Sequence, residues 1–119
     1  MDRIKVMQHK GKEILFLDLS NCKPDETLVI IKEFKKVVSG YSEHSLLTIT
    51  DVSGFVLSTD IIDDLKELIQ YDELYVKMGA IVGLSNVQRA VYHTIMMFTN
   101  RKMGLFDTID EAKEYLISF

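Results

Sequence analysis

The chain has 119 residues, 47% of them hydrophobic and 27% charged. That suits one globular domain over 1–119, long enough to bury about two thirds of its unfolded surface. Eighteen acidic against fourteen basic residues leave a formal charge of −4, which argues against nucleic acid or an anionic membrane as partner, since both require a concentrated basic face. Cys22, the one cysteine, cannot make an intrachain disulfide and suits a reducing cytoplasm.

Ile4 and Val6 alternate with Lys5 in a first strand over Arg3 to His9. Lys10-Gly11-Lys12 is a turn, and Glu13 to Asp18 is a second, nearly continuous apolar strand, so the pair reads as a hairpin. Pro24 then opens a helix where its missing N–H costs nothing, with Asp25 and Glu26 placed to complement the helix dipole. Ile30, Phe34, Val37 and Val38 form its stripe as far as about Ser39, and Gly40 ends it. Leu46 to Thr50 is a third strand. A second helix from Ser58 presents Ile61, Ile62, Leu65, Leu68 and Ile69 on one face, with Asp63, Asp64, Lys66 and Glu67 on the other.

Val76 to Gly83 reads as a fourth strand, buried on both sides to judge from Ala80, Ile81 and Val82. The third helix has helical spacing in Val87, Ala90, Val91, Thr94, Ile95 and Phe98, which predicts a buried stripe. Met103 to Phe106 is a short last strand, and Thr108-Ile109-Asp110-Glu111 matches a capping box opening a helix that buries Ala112, Leu116 and Phe119. The order ββαβαβαβα predicts an α/β fold: a mixed five-stranded sheet with an antiparallel N-terminal hairpin, the remainder largely parallel, layered with four helices.

Few residues suggest catalysis. His9, His44 and His93 fall on different elements without ligand spacing, and Cys22 reads as a buried structural thiol. Asp18 and Asp51 lack the adjacent acid and late lysine of a receiver pocket. Gly79 and Gly83 do not form a dinucleotide loop; Gly79 reads as room for a helix to pack and Gly83 as the strand-to-helix turn. The basic groups Lys32/Lys35/Lys36 and Arg101/Lys102 stand among acids and read as solvated surface. No metal, cofactor or enzymatic activity is expected.

The candidate sites follow from chain order. Asp51, Ser53, Gly54, Ser58 and Thr59 lie between the third strand and the second helix, where open α/β proteins place binding or regulatory groups. Ser85 and Asn86 start the third helix and make a candidate anion site, with plain capping as the alternative. Opposite the stripe of that helix stand Arg89, Tyr92, His93, Met96 and Met97. Tyr and Met there suit an adaptable interface or an apolar ligand face.

Thr50-Asp51-Val52, Gly11-Lys12, Gly79-Ala80-Ile81-Val82-Gly83 and Leu105 to Ala112, in this order and spacing, resemble the STAS domain superfamily. The nearest resemblance is to its SpoIIAA-like branch, related to the anti-sigma-factor antagonists and to the CRAL-TRIO lipid-carrier fold. The resemblance implies a non-enzymatic regulatory module acting through an unidentified protein partner; alternatively, it implies a small carrier or sensor of an apolar, lipid-like molecule. In the antagonists a serine opening the second helix, within Asp-Ser-Ser-Gly, is phosphorylated. Here Leu57-Ser58-Thr59-Asp60 stands in that place without the preceding Asp or the following Gly, and Asp63 and Asp64 would repel an added phosphate. A homodimer that buries Tyr92 and Met96 in a twofold contact is a further expectation. The polar start Met1 to Lys5, and the absence of any apolar run near the roughly 20 residues needed to span a bilayer, lead to a cytoplasmic protein without an integral membrane segment.

Overall fold

Lys10 and Gly11 both take positive φ, +47° and +82°, the twist that lets a two-residue turn join twisted antiparallel strands. The turn pairs His9 with Lys12 and sets the register of β1 (Ile4–His9) and β2 (Lys12–Asp18) through to Ile4 opposite Leu17. The structure, a computed structural model, describes residues 3–97, 99 and 101–119. Met1, Asp2, Phe98 and Asn100 lie outside the described residues, Phe98 being the last position of the predicted third-helix stripe.

Among the described residues the chain continues with α1 (Pro24–Val38), β3 (Leu46–Asp51), α2 (Thr59–Asp72), β4 (Val76–Val82), α3 (Asn86–Met96), β5 (Met103–Phe106) and α4 (Ile109–Leu116). The strands lie in sequence order in a five-stranded sheet, antiparallel between β1 and β2 and parallel thereafter. This is the expected α/β order.

Alternation along the strands divides the core. Leu15 and Leu17 point to the face covered by α1 and α2, where Ile30, Ile31, Phe34, Ile61 and Leu68 are buried. Ile14 and Phe16 point to the opposite face, which α4 covers with Ala112 and Leu116. Full burial of such a side chain contributes about 1.5–3 kcal/mol. That matters most for α4, whose eight residues are too few to hold a helix unaided. Its start is tied by Thr108, whose Oγ1 accepts from the Glu111 N–H at 3.2 Å and donates to Glu111 Oε1 at 2.9 Å.

Helix α3 departs from the expected face. Gln88, Val91, Tyr92 and Ile95 turn toward the sheet, whereas Val87 is 73% exposed and Ala90 and Thr94 face solvent. The cause lies at its first turn. Ser85 Oγ accepts from the Gln88 N–H at 3.2 Å, Gln88 Oε1 accepts from the Ser85 N–H at 2.9 Å, and Gln88 Nε2 reaches the Phe55 carbonyl at 3.0 Å. A capping glutamine drawn inward sets the rotation of the helix, and Tyr92, one turn on, follows it.

Candidate functional site

Because β2, β3 and β4 run parallel, their C-terminal ends share one edge of the sheet, and the loops there are tied together. The Asn21 N–H donates to the Ser53 carbonyl at 2.8 Å, and the Val56 N–H donates to the Cys22 carbonyl at 3.1 Å. Gly83 takes φ +86°, and a Cβ there would stand 3.1 Å from Ser53 Cα. A side chain would therefore be strained and would push apart the loops after β3 and β4.

The predicted regulatory residues all sit on this edge. Asp51 Oδ1 accepts from the Ser53 N–H at 3.0 Å in an Asx turn. Ser53 and Gly54 are exposed, and Gly54 takes φ +67° against the Asn21 side chain. Ser58 caps α2, its Oγ accepting from the Ile61 N–H at 3.3 Å, and the exposed Thr59 is the first helical residue. Ser85 caps α3, with Asn86 exposed beside it. Both serine hydroxyls thus serve their own helices.

Behind this edge, between the sheet and helices α2 and α3, lies an apolar cavity of about 100 Å³. Leu65, Leu68 and Ile95 contribute from the helices, while Leu17 and Ile81 contribute from the strands. Tyr92, expected on an exposed interface, instead packs against the core and lines this cavity. Its hydroxyl accepts from the Met103 N–H, and burial raises the phenol above its ordinary pKa against the opposing effects of that bond and Arg101.

One end of the cavity is charged. Arg101 and Asp72 both line it and form an ion pair whose side chains are 8% and 9% exposed. Arg101 Nη1 also donates to the Ile69 carbonyl at 3.2 Å. Burial pushes the Asp72 carboxyl up to about 6, and the Arg101 charge and hydrogen bond offset this only in part. Arg101 is therefore not the solvated surface cation that its neighbourhood in the sequence implies. Gly79 likewise makes room for side chains, not for a helix: a Cβ there would stand 3.0 Å from Thr48 Oγ1 and 3.3 Å from Arg101 Nη2. One signal for the pair was present in the sequence. Asp72 follows Leu65, Leu68 and Ile69 at helical spacing on the apolar face, at the helix end where the dipole disfavours an acid.

The outer side of α3 is dispersed. Arg89 Nη2 lies 3.9 Å from Asp107 Oδ1, and His93 packs edge-on to Tyr92 with ring centroids 5.3 Å apart. Met96 is half-buried and Met97 is 83% exposed. Among the described residues no three His, Cys, Asp or Glu side chains gather where they could hold a metal ion, and no helix is long and apolar enough to cross a membrane.

No protein-family profile matches the chain, and no curated protein matches it at the level of sequence. Solved structures do match it. An uncharacterized protein from the DUF3478 family with a SpoIIAA-like fold, from Shewanella loihica PV-4, aligns with a TM-score of 0.71 at 16% identity, over 95% of this chain and 91% of its own. An anti-sigma-factor antagonist (STAS) domain protein from Planctomyces limnophilus aligns with a TM-score of 0.67 at 14% identity, over 96% and 97% of the two chains. The mixed sheet, the order of its elements and these two likenesses agree: the chain has the SpoIIAA-like fold of STAS domains.

Proposed function

We propose that this protein is a non-enzymatic binding module of STAS type that encloses a small apolar ligand between the sheet and helices α2 and α3. The observation that carries this reading is the cavity itself, apolar along most of its wall and backed by the loop edge. Apolar cavities of about 150 Å³ take up benzene or xenon, so this space of about 100 Å³ suits a body smaller than benzene and not a long acyl chain. Binding there would be read out at the edge, because the loop after β3 and the start of α3 both border the cavity through Phe55, Leu84 and Gln88. Equilibration of the full chain with xenon at increasing pressure, followed by methyl resonances of Leu65, Leu68 and Ile95, tests the reading. Saturable shifts confined to those residues support it, and shifts that stay linear and scattered count against it.

A second reading, docking of a protein partner on the loop edge, is favoured by two exposed apolar residues there. Val56 is 46% exposed on the loop after β3, and Val87 is 73% exposed in the first turn of α3. A Ser58→Glu variant tests the switch form of this reading: unchanged affinity for a recovered partner would exclude Ser58 as its control point.

A further inference from the structure

The strand order runs from β1 to β5, so β1 lies outermost beside β2 at one edge of the sheet. The Asp18 N–H donates to the Arg3 carbonyl at 2.7 Å, and the two-residue turn closes on the pair His9 and Lys12. Ladder bonds to β2 therefore fall on the odd residues from Arg3 to His9, and the N–H and C=O groups of Ile4, Val6 and Gln8 are directed away from the sheet. These are the groups that an added strand takes up. Ile4 and Val6, opposite Leu17 and Leu15, place their side chains on the face covered by α1. With Glu33, Lys36 and Val37 of α1 they line an open groove of about 470 Å³ along the edge. Val6 is 53% and Val37 37% exposed, so backbone groups and apolar surface lie open together.

We infer that this edge pairs with a second copy of the chain, β1 against β1 and antiparallel, about a twofold axis at Val6. Charge selects the register. An axis at Lys5 would set two lysines directly opposite each other, and an axis at Met7 would set Lys5 opposite His9 and Val6 opposite Gln8. An axis at Val6 instead sets Val6 against Val6 and Lys5 against Met7, while Ile4 and Gln8 exchange bonds. About six backbone hydrogen bonds then join the two sheets.

The walls of the groove match their own image in this arrangement. Because β2 and β3 are parallel, α1 returns against β2 and runs in the same direction as β1. A twofold axis normal to the sheet therefore sets the two α1 helices antiparallel on one face, on either side of a joined groove. At a strand spacing of about 4.8 Å, β2 and its copy stand about 14 Å apart, a gap that glutamate and lysine side chains reach across. Glu33 of each copy then faces Lys36 of the other, and both residues are exposed. Arg3 is tied to Asp18 and to the Ser20 carbonyl, and Lys5 alternates to the opposite face. The wall thus carries one acid and one base, with no net charge to draw an acidic or a basic peptide, yet with a charge pattern complementary to itself. The contact lies apart from the cavity and does not depend on what fills it. It also differs from a dimer through Tyr92, which is packed against the core.

Sedimentation of the full chain from about 5 μM to about 500 μM tests the inference. The mass should rise with concentration from 13.7 kDa toward twice that value. Val6→Lys sets two lysines on the axis and should leave a monomer throughout. Glu33→Lys alone, or Lys36→Glu alone, should weaken association about tenfold, because symmetry reverses two pairs at once. The double exchange of Glu33→Lys with Lys36→Glu should restore it, which a merely structural role of either residue would not do. If Val6→Lys does not fold, the charge exchange decides by itself. A wild-type chain that stays at 13.7 kDa throughout overturns the inference. A dimer indifferent to both single reversals overturns the assigned axis, and one that Val87→Lys dissolves while Val6→Lys does not places the contact on the outer side of α3 and overturns the edge.

Discussion

Asp72 makes the pH dependence of stability run against the usual acid lability, and the size of the effect can be worked out. Its carboxyl rises from 3.8 to about 6 on folding because burial outweighs the Arg101 charge and hydrogen bond. The native state therefore holds the proton more tightly than the unfolded state. The stability this withholds is missing above about pH 6 and returns as pH falls toward the unfolded value. A shift of this size is worth about 3 kcal/mol over the whole window, of which about 1 kcal/mol has returned by about pH 5 and about 2 kcal/mol by about pH 4. Glu114 acts in the opposite sense: hydrogen bonds from Lys10 and His9 lower it below its ordinary pKa. The effect must therefore be read as a difference. Urea unfolding of wild type and Asp72→Asn across this pH range isolates it, since Asn keeps an oxygen for Arg101 and has no proton to gain. Whatever the offset at neutral pH, wild type should gain about 2 kcal/mol on the variant by about pH 4. A difference that stays flat, or a loss by wild type, would refute the claim that burial dominates this ion pair.

Other perturbations address the frame. Phe34, on the inner face of α1, is fully buried, so Phe34→Ala should cost about 3–5 kcal/mol, seen as a lower urea midpoint with the slope unchanged. Gly83→Ala places a side chain at φ +86° against Ser53 and should cost about 2 kcal/mol. At roughly 4 °C per kcal/mol for a domain of this size, calorimetry would resolve it. Ser85→Ala removes the cap on α3 and frees Gln88, at about 1 kcal/mol. It should also lift hydrogen-exchange protection from the first turn of α3, while leaving α4 unchanged. Burial raises the Cys22 thiol above its ordinary pKa, so iodoacetamide should modify it only on the timescale of unfolding, which mass spectrometry can follow.

Local chemistry carried most of the architecture. The Lys10-Gly11 turn, Pro24 opening α1, the Thr108 cap on α4 and the alternation in β2 act within a few residues, so each element was legible along the chain. The resemblance in Thr50-Asp51-Val52 and Gly79 to Gly83 pointed to the SpoIIAA-like arrangement that the structural likenesses support. The site was less legible, because its residues meet only across the fold. Val87, Ala90 and Thr94 have the spacing of a buried stripe, yet Gln88 bonds to Phe55, 33 residues away in sequence, and turns α3 by about one residue. Arg101 looks like a surface cation until the segment leading into β5 brings it against Asp72, 29 residues earlier. Periodicity reports which residues can share a face. Which face meets the sheet, and which charges are enclosed with it, is decided by long-range packing and desolvation.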